Sequence, residues 1–193
     1  MALVTVKPTR LDIAIASRIA DHADPRMEHA AATLTWGADE HVLLALAAAG
    51  WLYGQLLRPS IRPVANHMLA VSVATSVLPH ILKSIFNQTR PDRLMIRGHA
   101  RGIPISGNPR DAFPSGHAVH MGALVSAAGL LPPCARRLVR GAAVGLSLTR
   151  IALLAHWTTD VLAGLALGAA VERLLRPRGL ERAVRKRLET RRR

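Results

Sequence analysis

Pro114-Ser115-Gly116-His117 is the stretch on which the fold of this chain turns. It closes a polar, arginine-dotted loop and opens an apolar run, His117 to Leu131, that reads as a membrane helix. Proline suits a helix start, where its missing N–H has no intrahelical partner to lose. Ser115 and Gly116 then leave backbone N–H groups uncovered at a helix end of partial positive charge, which suits a phosphate. His117 stands one residue further on, where a proton can be handed to a departing oxygen. A Ser-Gly pair by itself more often just makes a turn. Its surroundings have to carry the reading.

Half of the 193 residues are hydrophobic but only 3% are aromatic, so the apolar surface is mostly Ala, Leu and Val. With 26 Lys and Arg against 12 Asp and Glu the formal net charge is +14. So basic a chain suggests disorder or a nucleic-acid binder, and the distribution of residues argues against both. The apolar residues come in blocks of roughly 15–20, near the ~20 that cross a bilayer core. Five such blocks are read as spans: His41–Leu57, Val64–Leu82, His117–Leu131, Leu138–Ala155 and Trp157–Leu175. Much of the basic charge sits in the connectors 58–63 and 132–140 and in the tail. By alternation these lie on one side, as expected of a cytoplasmic face. The 83–113 loop and the 150–157 turn then face outward together, and the N-terminus lies outside. Cys134, the single cysteine, excludes an intramolecular disulfide.

Residues 9–36 mix apolar and charged positions around Asp24-Pro25. They read as two short amphipathic helices at the interface or against the bundle, with one irregular first span as the competing view. The start, Met1 to Pro8, lacks the basic-then-apolar order of a cleavable signal, so insertion is expected to rely on the spans themselves. The expected organisation is an all-α polytopic membrane bundle. It comprises an N-terminal interfacial segment (1–40), a membrane core (41–175) and a basic cytoplasmic tail (176–193).

Two further stretches carry the chemistry. Lys83 to Arg90-Pro91 ends the second span and enters the outer loop, and Thr149-Arg150 leads through His156 to Asp160 between the fourth and fifth. His156 and Asp160 are four apart and share a helix face. The carboxylate can hold one imidazole nitrogen and leave the other free to attack phosphorus. Lys83, Arg90 and Arg150 supply the charge that phosphoryl transfer needs on the non-bridging oxygens. Metal chemistry needs clustered carboxylates or His. Asp160 and Glu172 are the only acids between 112 and 180, while Asp92 and Asp111 border the loop with no obvious partner. No metal and no cofactor are expected.

Taken in order, Lys-x6-Arg-Pro, Pro-Ser-Gly-His and Thr-Arg-x5-His-x3-Asp resemble the three signature motifs of the type-2 phosphatidic acid phosphatase superfamily. Thr149 stands where that family usually has Ser and keeps the hydroxyl. The resemblance covers 83–160. It implies His156 as nucleophile through a phosphohistidine, His117 as the acid to the leaving group, and Lys83, Arg90, Arg150, Ser115 and Gly116 as the phosphate cradle. His67, His80, His99 and His120 match no motif position and are read as structural. The resemblance implies a phosphatase of a membrane lipid phosphate or diphosphate. Phosphatidic acid, phosphatidylglycerophosphate, a polyprenyl phosphate and a lipid A phosphate all stay open as substrates. The expected place is a bacterial plasma membrane, with the active site outward and no nucleic-acid partner. Two alternatives remain: phosphotransfer to an alcohol acceptor, and a lipid-binding protein of the same fold without turnover.

Overall fold

The computed structural model describes residues 3–22, 24–95 and 108–190. Much of the outer loop, with Gly98, His99, Gly102 and Gly107, therefore lies outside the described residues. The helices are α1 (Arg10–Asp21), α2 (Pro25–Thr35), α3 (Glu40–Leu56), α4 (Arg62–Ile85), the short α5 (Pro91–Met95), α6 (Gly116–Ala127), α7 (Pro133–Ala152), α8 (Thr158–Leu175) and α9 (Leu180–Thr190). Each apolar block of the sequence is a helix, and residues 9–36 form the two short helices α1 and α2.

The starts of these helices follow from their caps. Thr9 and Asp12 form a reciprocal capping box on α1, Asp24 caps α2 ahead of Pro25, and Asp39 caps α3 by accepting from the His41 and Val42 N–H groups. Pro63 lies in the first turn of α4, where it costs no hydrogen bond.

One departure from an all-helical chain is a two-stranded parallel ribbon, β1 (Val4–Thr5) against β2 (Phe86–Asn87). A further parallel bridge, Gln88 to Asp111, extends it. The ribbon draws the N-terminus, the end of α4 and the segment before α6 to one place.

The centre of the bundle is the pair α6 and α8, whose backbones nearly touch. A Cβ on Gly168 would run into the Val119 carbonyl, and one on Gly122 into the Leu165 carbonyl. Gly164 and Gly168 are four apart on one face of α8, the small-residue spacing that lets helices approach closely in lipid. Such packing fixes the two helices that begin at Gly116 and Thr158, and both of these ends enter the candidate site.

Among the described residues one helical stretch, Pro59–Ile85, is long and apolar enough to cross a membrane by length and composition, with mean hydropathy 1.5. The other expected spans fall short individually. The 17 residues of α3 and 12 of α6 are fewer than the ~20 of a straight crossing. Four arginines interrupt α7, and α8 carries Asp160, Glu172 and Arg173.

Candidate active site

The sequence between α7 and α8 makes a tight turn that delivers His156. Leu154 has a positive φ of 53°, sparsely populated for a non-glycine residue, and is buried. The turn is held by Asp92 N–H donating to the Leu154 carbonyl at 3.0 Å and by Ala155 and His156 N–H donating to the Arg150 carbonyl. Trp157, almost fully buried, anchors the far side through its indole N–H to the Thr89 carbonyl at 2.8 Å.

His156 is 3% exposed, and its Nδ1 lies 2.6 Å from the Ala112 carbonyl oxygen. A carbonyl only accepts, so Nδ1 carries the hydrogen and the neutral ring keeps its lone pair on Nε2. Burial pushes the His156 pKa well below its ordinary value, and the charges of Arg150, Arg90 and Lys83 add to this. The sequence reading gave the orienting role to Asp160. Asp160 Oδ2 stands 3.9 Å from Nδ1, at ion-pair distance but beyond a hydrogen bond, and accepts from the Trp157 N–H at 2.9 Å. Three residues into the helix, it is placed to cap α8, and the Ala112 carbonyl has the shorter approach to the ring.

A cavity of about 230 Å³ opens beside His156. His117, Gly116, Lys83, Arg90 and Arg150 line it too, along with Asp39, Glu40, His80 and Asp111. Five sequence-predicted site residues therefore share one cavity with the predicted nucleophile. Ser115 is buried just behind Gly116 as the N-cap of α6, its Oγ without a protein partner. Pro114 precedes the cap and so stands outside the first turn. The first N–H groups of α6 have no intrahelical acceptors and point toward the cavity end of the helix.

The cations are held by different means. Arg90 is buried and held through each of its nitrogens, with Nε and Nη2 donating to Asp111 Oδ1 at 3.1 and 2.8 Å, Nε also to the Asn108 carbonyl, and Nη1 to the Ala155 carbonyl at 3.1 Å. Lys83 Nζ lies 3.7 Å from the other Asp111 oxygen. Asp111 was expected to have no obvious partner; it bridges two of the three cations. Arg150, 2% exposed, meets only a hydroxyl through Nη1, Thr35 Oγ1 at 3.2 Å, and its Nε has no protein partner. Thr149 Oγ1 donates to the Leu146 carbonyl at 2.6 Å and lies 3.3 Å from Thr35 Oγ1, from which it can accept, so the hydroxyl at this position ties α7 to α2.

Sequence reasoning therefore missed Asp111, Ala112, Thr35 and Asp39. Only Asp111 left a signal, being one of two acids in a loop of many arginines. The N-terminal segment also supports the site from below. Asp12 Oδ1 accepts from the Thr159 N–H and Oδ2 from the Thr159 hydroxyl. Burial alone would raise its pKa, but bonds from Thr159 and Thr9 hold it below the usual value.

His67 and His120 have structural partners, Glu172 Oε1 at 2.8 Å and Thr75 Oγ1 at 3.0 Å. His80 lines the cavity mouth with Glu40 3.8 Å away.

Residues 64–178 match the PAP2 superfamily. The chain belongs to the PAP2 superfamily. Over 107 residues, 55% of its length, it is 35% identical to the lipid A 1-phosphatase of Rhizobium johnstonii. Over 106 residues, 54% of its length, it is 34% identical to that of Rhizobium etli. The matches span 44% and 46% of those two proteins, so the chain matches less than half of either. The PAP2 fold extends beyond the matched segment. LpxE of Aquifex aeolicus superposes with a TM-score of 0.70 at 18% identity, over 89% of this chain and 98% of that one. The first transmembrane PAP2 type phosphatidylglycerolphosphate phosphatase of Bacillus subtilis superposes with a TM-score of 0.60 at 22% identity, over 86% and 82%. Both likenesses cover more of the chain than the family match does, and they establish the PAP2 bundle as its fold.

Proposed function

We propose that this protein is a membrane lipid phosphatase that works through a phosphohistidine on His156 without a metal ion. The observation that carries the reading is the His156 ring itself. Its Nδ1–H is committed to the Ala112 carbonyl and its other nitrogen is left unprotonated, in a cavity shared with three cations and a second histidine. In the first step Nε2 forms a bond to phosphorus as the bond to the leaving oxygen breaks. His117 gives that oxygen its proton. Water then attacks the phosphohistidine, with His117 taking a proton back, and phosphate leaves. Lys83, Arg90 and Arg150 neutralise the non-bridging oxygens throughout, aided by the Ser115–Gly116 end of α6. Asp160 supports His156 indirectly, by fixing the Trp157 N–H at the start of α8.

The relatives named lipid A 1-phosphatase make a lipid A phosphate the leading substrate, ahead of phosphatidylglycerophosphate. We read five helices, α3, α4, α6, α7 and α8, as crossing a bacterial plasma membrane, with α1 and α2 at its outer surface. The site faces outward and the basic tail from 176 faces the cytoplasm.

The test is phosphate release by the purified protein in detergent from lipid A, phosphatidylglycerophosphate, phosphatidic acid, a polyprenyl diphosphate and a water-soluble ester, with excess EDTA present. Release from a lipid, reduced by about 10⁴-fold or more in His156→Ala, is the expected result. Strict dependence on added Mg²⁺, or undiminished release by folded His156→Ala, would sink the mechanism.

A further inference from the structure

A second polar cavity, of about 330 Å³, lies at the opposite ends of α6 and α8. Its lining includes Arg136 and Arg140 of α7, Arg173 and Arg176 at the end of α8, and Ser126 and Glu181. At 1.5 Å per residue, α6 advances about 16 Å between Ser115 and Ser126, and α8 about 24 Å between Asp160 and Arg176. A phosphate held between His156 and Arg150 does not reach this place. The two cavities are separate.

Four guanidinium groups here face a single carboxylate in the lining, Glu181, which is itself 70% exposed and 3.9 Å from Arg176. Arg176 is fixed from behind: Nε and Nη2 donate to the two oxygens of buried Glu172 at 2.9 and 2.7 Å, and Nη2 also to the Ser126 carbonyl. The α7 arginines are held by neutral groups. Arg140 Nε donates to the Val125 carbonyl and Arg136 Nη2 to the Leu131 carbonyl, both at 3.1 Å. Carbonyl acceptors position a guanidinium without cancelling its charge. The buried Nε of Arg136 has no protein partner at all. Planar forks positioned in this way match the geometry of a phosphate.

We propose that this cavity is an anion site, distinct from the active site, that binds a phosphate group. An anionic phospholipid headgroup and free phosphate present the same chemistry. Basic pockets at the cytoplasmic ends of membrane helices favour the headgroup, so phosphatidylglycerol is the probe of first choice. As a phosphodiester it also lacks the terminal phosphate that the active site is built to remove.

The experiment is native mass spectrometry of the full chain in detergent, titrated with phosphatidylglycerol, phosphatidylcholine or inorganic phosphate. The wild-type protein is compared with R136Q/R140Q and with R137Q/R178Q, which removes the same charge from arginines outside the cavity. One phosphatidylglycerol is expected to bind, about tenfold more weakly in R136Q/R140Q and within about twofold of wild type in R137Q/R178Q. The same pattern with inorganic phosphate alone would support the site and assign it to the free anion. Equal binding in both variants, or phosphatidylcholine held as tightly as phosphatidylglycerol, would overturn it. Should R136Q/R140Q not fold, R136K/R140K keeps the charge and removes the forks. A several-fold loss is then expected, and wild-type affinity would count against the site.

Discussion

The two ends of α8 treat buried charge in opposite ways. At the C-terminal end Glu172 has no exposed surface, and its oxygens accept from Arg176, Ser126 and His67. The charge is matched by neighbours from α4, α6 and the end of α8, which are tied together by it. At the N-terminal end the balance is left open. Lys83 and Arg90 share Asp111, while Arg150 is answered by the hydroxyl of Thr35. Asp39 shares the cavity with Arg150 but forms no ion pair with it, and a buried guanidinium without a bonded carboxylate is expensive unless something anionic completes it. Structural charge is closed off, whereas the charge at the proposed phosphate site stays incompletely neutralised.

Breaking each end should therefore fail in a different observable. Glu172→Ala leaves Arg176 and His67 without their acceptor, and a destabilisation of about 3–5 kcal/mol is expected in thermal or denaturant unfolding. A loss below 1 kcal/mol would mean that the network is not closed in the way described. Arg150→Ala should instead lower kcat/KM by about 10²–10³-fold, as loss of a transition-state cation does, with little loss of stability because no ion pair is broken. Asp111→Asn is the finer probe. It keeps the shape that holds Lys83 and Arg90 but removes the shared charge, and a change of about tenfold in kcat/KM is expected. Identical effects of Arg150→Ala and Asp111→Asn would erase the distinction drawn between the free and the shared cations.

The smallest effect is on pH dependence. Since burial and the neighbouring cations lower the pKa of His156, its attacking form persists as pH falls below the ordinary histidine value of ~6.5. The acid limb of kcat/KM is expected below that value. A limb centred near 6.5, with phosphohistidine formation following it, would contradict the assigned environment of the ring.

The candidate site was legible in the sequence because three stretches at fixed spacing specify it. Lys83, Arg90, Gly116, His117, Arg150 and His156 all reach one cavity. The helices were legible from apolar blocks, with α1 and α2 from their mixed composition around Asp24-Pro25. What sequence could not disclose depends on backbone and on distant contacts. A carbonyl leaves no residue signature, so the Ala112 acceptor was invisible, and the role of orienting His156 passed to the nearest acid on the helix face. Thr35 reaches Arg150 across 115 residues, and Asp12 reaches Thr159 across 147. An unaligned polar residue gives no hint of such partners. The close approach of α6 and α8 was also unread, because Gly164 and Gly168 in an apolar run look like ordinary small residues until Val119 is seen against them.

The most direct test of the central claim is to trap the intermediate. The protein in detergent would be mixed with lipid carrying ³²P in its terminal phosphate and quenched in alkali, where phosphohistidine survives. The label would then be located by mass spectrometry. The account predicts label on His156, acid-labile and absent from His156→Ala. Label on another residue, or steady turnover by folded His156→Ala, would contradict it.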